Sequence, residues 1–157
     1  MITVVLSGVT SPHRLVESVK VAYGFRGASV DMFIVTKTTG LASQVGIPEA
    51  YKVALKYGKP LVVLSSLKDV FEYFRFSEVY IVLPGQSGLR KLEDLEIGGS
   101  KYAFIFIGEE YSRSEAPIEA LSIPELPVDS PPQVTIALTL YTISSKMKSL
   151  SSESGGR

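Results

Sequence analysis

The run YAFIFIG at Tyr102–Gly108 is followed by the acidic loop EEYSRSEAP, then by the apolar run IEALSIP at Ile118–Pro124. The Pro-rich loop ELPVDSPPQ and the apolar stretch VTIALTLYTISS at Val134–Ser145 complete the segment. The first piece is a continuous apolar run of strand length closed by glycine, which reads as a strand buried on both faces. The last is apolar around its whole circumference, through Val134, Ile136, Ala137, Leu138, Leu140, Tyr141 and Ile143, which predicts a helix covered on every side. Two strands thus each run into a loop suited to hold a ligand, and only then does a helix close the domain.

Working back to the amino terminus, the same grammar repeats. Ile2–Leu6 is a strand-length apolar run. Ser11 and Pro12 form an N-cap and a first helical position. Leu15, Val16, Val19, Ala22 and Tyr23 then recur at helical spacing, which predicts a helix ending near Gly24–Gly27. Further strands are expected at Val30–Thr36, Pro60–Leu64 and Glu78–Leu83. Helices are expected at Pro48–Tyr57 and Leu67–Phe74, with a short helix or loop at Leu89–Leu95. The alternation predicts an α/β domain: a mainly parallel sheet with helices on both faces. Ligands of such sheets bind beyond the carboxyl ends of the strands. That directs attention to the loops after Leu6, Thr36, Leu83, Gly108 and Pro124. The domain is expected to span residues 1–145, and the Ser/Gly-rich stretch 146–157 reads as a flexible tail.

The 157 residues carry sixteen basic and sixteen acidic side chains, a balance that argues against a strongly basic nucleic-acid binder while leaving room for a local patch. No cysteine is present and there is one histidine, so thiolate sites are excluded and a His-rich metal site cannot be built; no metal is expected. Neither a signal peptide nor an apolar run of spanning length is evident, which predicts a cytoplasmic protein without membrane contact. G-x-G-x-x-G, G-x-x-x-x-G-K-[ST] and G-x-S-x-G are all missing.

Three motifs carry a resemblance that extends over about Ile2–Ser145. FIFIGEE presents a strand ending in Gly108, followed by Glu110. SIPELPVDSPPQVTIALTLY presents Ile123-Pro124, a short loop and Pro132-Gln133-Val134-Thr135 leading into an apolar helix. On the first helix Arg14 and Lys20 stand six residues apart, ahead of Ala22 and Phe25. In these features the chain resembles the SpoU branch of the SPOUT methyltransferases, in particular a group of archaeal SPOUT-related proteins. The resemblance implies a carboxyl-terminal trefoil knot, S-adenosylmethionine held in it, a homodimer formed through the last helix, and an RNA substrate (tRNA or rRNA) methylated at a ribose 2′-oxygen. It departs at the first motif, where relatives carry Asn and then Arg in the places of Arg14 and Lys20. It departs again after Glu110, where the glycines are lacking.

From this resemblance Arg14, Lys20 and Glu110 are the expected catalytic residues. Leu83, Gly108, Ile123, Leu126, Pro132, Gln133 and Thr135 are expected to bind the cofactor. Gly108 permits close backbone approach, Ile123, Leu126 and Pro132 offer apolar walls, and the prolines stiffen the loop. Arg14 and Lys20 lie about 120° apart around the helix axis, so one cannot simply replace the other. A cofactor- or RNA-binding protein without catalysis is the alternative. A metal-dependent nuclease is a third class, and it needs spaced carboxylates ahead of a Glu-x-Lys-like element. Glu93, Asp94 and Glu96 precede Lys101 at the wrong spacing for that.

Overall fold

The strands are built from residues that alternate between two buried faces, and this alternation organises the molecule. In the computed structural model, which describes residues 1–109 and 118–155, seven strands form one sheet. They are β1 (Ile2–Ser7), β2 (Val30–Thr36), β3 (Leu61–Leu64), β4 (Glu78–Pro84), β5 (Arg90–Lys91), β6 (Tyr102–Ile107) and β7 (Glu119–Ile123). The order is β3-β2-β1-β6-β4-β7-β5, and every pairing among the described residues is parallel. On one face Val4, Leu6, Phe33, Val35, Val82, Phe104 and Phe106 join the larger core. Their neighbours Val5, Ile34, Ile81, Leu83 and Ile105 point to the other face. Side chains of period two, apolar on both sides, are what a parallel sheet covered on both faces requires.

Among the described residues four α-helices provide the cover: α1 (Pro12–Gly24), α2 (Ile47–Tyr57), α3 (Leu67–Tyr73) and α4 (Pro132–Ser154). Helix α1 supplies Leu15, Val19, Ala22 and Tyr23 to the larger core, α2 supplies Ala50 and Ala54, and α4 supplies Ile136, Leu140 and Ile143. Leu67 and Val70 of α3 cover the opposite face. The expected N-cap holds: the Ser11 hydroxyl accepts from the Arg14 N–H at 3.3 Å, with Pro12 opening α1. Gly58, at φ 64°, ends α2 in the left-handed conformation.

Three expectations are corrected. Leu89–Leu95 is not a helix: Arg90 and Lys91 pair with Leu121 and Ser122 of β7, and a single 3₁₀ turn, Leu92–Asp94, follows. Buried Leu92 and Leu95 pin that turn to the core, and a longer helix would have to lift them out. A short π-helical turn, Ala42–Gly46, leads into α2, which begins at Ile47. Helix α4 does not stop at Ser145 but runs unbroken to Ser154. The serines that deny this stretch an apolar pattern bond back into the helix, Ser145 Oγ to the Tyr141 carbonyl and Ser149 Oγ to the Ser145 carbonyl, each at 3.1 Å. Lys146 Nζ donates to the Glu93 carbonyl and ties this part of the helix to the body.

The order of strands has a functional consequence. The chain moves outward from β1 through β2 to β3. It then crosses to β4 on the other side and returns to place β6 between β4 and β1. The β1/β6 boundary is therefore the topological switch point, beyond whose carboxyl ends sheets of this type bind ligands. Residues 110–117, whose course bears on the expected knot, lie outside the described residues.

Candidate functional site

Glycines at the strand ends prepare the site. Gly8 N–H donates to the Thr36 carbonyl at 3.0 Å, and Gly108 N–H to the Ser7 carbonyl at 2.8 Å. Each bond carries the ladder one step past the strands and locks β2, β1 and β6 together at their carboxyl ends. A side chain at Gly108 would place Cβ 2.6 Å from Val9 Cα and 2.7 Å from the Gly8 carbonyl oxygen. Gly108 is thus required where the β1 and β6 loops touch. Gly85 does the same across the site. It sits at φ 68°, donates to the Ile123 carbonyl at 2.9 Å, and a Cβ there would meet the Leu126 carbonyl oxygen at 2.7 Å. The loop after β4 is thereby pressed against the loop that leads into α4.

Between these two clamped loop pairs lies a cavity of about 330 Å³. Phe106, Val82, Pro84 and Pro132 form its apolar wall, and Arg14, Glu109, Asp129, Ser130 and Thr135 supply its polar groups. Arg14 Nη1 is 3.4 Å from Glu109 Oε1, while Glu109 Oε2 accepts from the Thr10 N–H at 2.7 Å. Partial burial pushes the Glu109 carboxyl up, but hydrogen bonds from Thr10 and from its own N–H, with the Arg14 guanidinium, outweigh it and hold the carboxyl below the usual range. Among the described residues the lining holds one cation, Arg14, and two carboxylates, Glu109 and Asp129.

Of the expected residues, Arg14, Gly108, Pro132 and Thr135 meet at this cavity. Lys20 does not reach it; it is exposed farther along α1 and paired with Glu17 at 3.3 Å. Glu110 lies outside the described residues. Leu83 is buried on the opposite face of the sheet, because the strand's alternation sends Val82 and Leu83 to different sides. Ile123 is buried in the larger core, and Leu126 packs against it while its backbone meets Gly85. Gln133 does not line the cavity; its Oε1 is buried and without a hydrogen-bond partner among the described residues. Glu109, Asp129, Ser130 and Pro84 were not singled out from the sequence. The signals available were Pro84-Gly85 at a strand end and Ser130, whose Oγ closes a turn on the Pro127 carbonyl at 2.7 Å.

Comparison with known proteins gives two kinds of likeness. AviRb of Streptomyces viridochromogenes, described as a SpoU methyltransferase in complex with AdoMet, superposes with a TM-score of 0.69 at 14% identity. The match covers 94% of this chain and 60% of that one. A structure described as giving insight into 2-OH methylation of C/U34 on tRNA superposes with a TM-score of 0.69 at 14% identity, covering 95% of this chain and 97% of that one. The fold is the SpoU-type α/β fold. In sequence, an Aeropyrum pernix protein named "Putative type II restriction enzyme ApeKORF2002P" is 38% identical over 96 residues, covering 57% of this chain. The chain spans 60% of that relative's length. A family model described as "RecB-family nuclease (DUF2122)" matches residues 40–142, most of the chain. On that match the chain, built on a SpoU-type fold, belongs to the RecB-family nuclease (DUF2122) family.

Proposed function

We propose that this chain is an S-adenosylmethionine-dependent RNA methyltransferase acting on a ribose 2′-hydroxyl of tRNA or rRNA. The observation that carries this reading is the cavity at the switch point, where the Arg14–Glu109 pair, Asp129, Ser130 and Thr135 line one space with apolar Phe106, Pro84 and Pro132. The lining suits the cofactor. Phe106, Pro84 and Pro132 offer a slot for a flat ring, and among the described lining residues two carboxylates stand against one guanidinium, which suits a ligand of net positive charge. When bound, S-adenosylmethionine supplies an electrophilic methyl group. Arg14, tethered by ionised Glu109, presents a planar fork suited to a substrate phosphate and orients the ribose beside it. Asp129 accepts hydrogen bonds at the cavity mouth, and Gly108 and Gly85 keep the walls in register.

The exposed row Val134, Leu138 and Tyr141 on α4, spaced four and three residues apart, supports pairing of this helix with a second copy. Lys20, exposed farther along α1, adds a second positive charge for RNA.

The test is calorimetry with S-adenosylmethionine and its demethylated product, followed by transfer of a labelled methyl group to RNA. Binding and transfer are expected, and no binding at millimolar ligand would overturn the reading. Binding without transfer would instead favour a non-catalytic protein, in which the Glu109 pairing keeps Arg14 from its substrate.

The family description and the name of the Aeropyrum relative favour a second reading, a metal-dependent nuclease. Among the described residues no group of three or more His, Asp and Glu side chains is placed to hold a metal ion. Magnesium-dependent cleavage of nucleic acid by the purified protein would decide for the nuclease.

A further inference from the structure

A second groove, of about 670 Å³, opens at the carboxyl ends of β2 and β3. Lys37, Thr38, Thr39, Ser65, Asp69 and Tyr73 line it, over a floor of Val63 and Leu64. It lies outside the site described above but on the same edge of the sheet. The β2–β3 gap is three strand spacings, about 14 Å, from the middle of the β6–β4 pair whose ends line the cavity.

Three features of the groove suit one kind of ligand. Lys37 has φ 52°, the only described residue other than glycine with a positive φ, a conformation that side-chain-bearing residues rarely adopt and that concentrates at functional positions. The preceding carbonyl, that of Thr36, is held by the Gly8 N–H, so the turn that presents Lys37 is tied to β1 and through it to the first cavity. Tyr73, in the last turn of α3, is 71% exposed, a ring left out of the core at the groove's edge. Asp69 brings a carboxylate, which only accepts hydrogen bonds, beside the hydroxyls of Thr38, Thr39 and Ser65.

We propose that this groove is a second subsite that binds an unpaired ribonucleotide of the same RNA strand that places a nucleotide farther along in the cavity. The proposal rests on the RNA reading above. Tyr73 stacks on the base, the Lys37 ammonium meets the phosphate, and Asp69 accepts from the ribose hydroxyl or an exocyclic amine. The separation of the two sites lets one single strand occupy both, and the groove then selects which nucleotide is presented to Arg14.

The test is fluorescence anisotropy of a short, labelled, mixed-sequence single-stranded RNA with the full chain. Tyr73→Ala is expected to weaken binding about tenfold, in the range of one lost stacking contact. Tyr73→Phe is expected to keep it. Lys37→Gly preserves the turn, because glycine adopts this φ freely, and is expected to lower the slope of log affinity against log salt by about one. Calorimetry with S-adenosylhomocysteine runs alongside, and all three variants are expected to bind it like the unaltered protein. Unchanged RNA affinity in Tyr73→Ala, or no RNA binding by the unaltered protein, overturns the subsite. Failure of S-adenosylhomocysteine to bind the unaltered protein overturns the methyltransferase reading instead, and the RNA arm is read independently of it.

Discussion

Arg14 on the first turn of α1 and Glu109 just beyond β6 approach to 3.4 Å across 95 positions of sequence, and the pair closes one side of the cavity. The Thr10 N–H holds the other carboxylate oxygen at 2.7 Å, so the helix-entry loop and the β6 loop meet through one side chain. A guanidinium that would otherwise swing freely is fixed in direction, and its partner stays ionised.

That arrangement has a pH signature. Glu109→Gln is expected to cost about 1 kcal/mol near neutral pH, since the pair is partly exposed and the amide oxygen still accepts from Thr10. The folded-state carboxyl titrates below its ordinary 4.5. The stability it contributes is therefore fully present above that value and is lost as pH falls through the lower, folded value. Urea unfolding of both proteins should show the gap narrowing on acidification from about pH 5. A gap that stays constant or widens would contradict the proposed coupling.

Much of the sheet was legible because its signals are local. Uninterrupted apolar runs such as Tyr102–Ile107 read as doubly buried strands, and Ser11-Pro12 announced α1. The elements that went astray depend on distant partners. Arg90 and Lys91 form a strand only because β7 lies beside them, and α4 continues past Ser145 in a sequence with no apolar period. The site divides in the same way. Gly108 and Pro132 stand out as residue types at strand and helix ends. Glu109 and Asp129 are ordinary loop acids until the fold brings both to the lining of one cavity, and Leu83 looked like a ligand contact although its strand parity points it to the far face.

Gly108 tests the clamp behind the cavity. In Gly108→Ala the new methyl would lie 2.6 Å from Val9 Cα, a backbone atom that cannot turn aside. Destabilisation of about 2–3 kcal/mol is expected, the scale of an overpacked interior. Gly99→Ala, where a Cβ meets nothing within 4 Å, serves as the control and should fall within about 0.5 kcal/mol of the parent. Equal thermal midpoints for the two variants would show that the β1 and β6 loops are not clamped as described.

Asp129 tests the charge balance of the cavity. Its exposure at the mouth means that Asp129→Asn should leave stability within about 0.5 kcal/mol of the parent. Affinity for S-adenosylmethionine, measured by calorimetry, should nevertheless fall about tenfold, the scale of a hydrogen bond to a charged group. Unaltered affinity would remove Asp129 from the binding site and weaken the argument that two carboxylates against one guanidinium select a cationic ligand.

Helix α4 separates what folds the chain from what pairs it. Leu140 is 1% exposed and packs in the larger core, so Leu140→Ala should cost about 2–5 kcal/mol in urea unfolding. Leu138 and Tyr141 belong to the outward row and contribute nothing comparable to that core. Tyr141 is 64% exposed in the single chain. If this row meets a second copy, Leu138→Asp and Tyr141→Asp each bury an unpaired carboxylate in the pairing face while leaving the monomer folded. Light scattering at micromolar concentration should then show a dimer for the parent and a monomer for both variants, with unchanged circular dichroism. A parent that is monomeric, or Asp variants that remain dimeric, would show that the row on α4 is not the pairing surface.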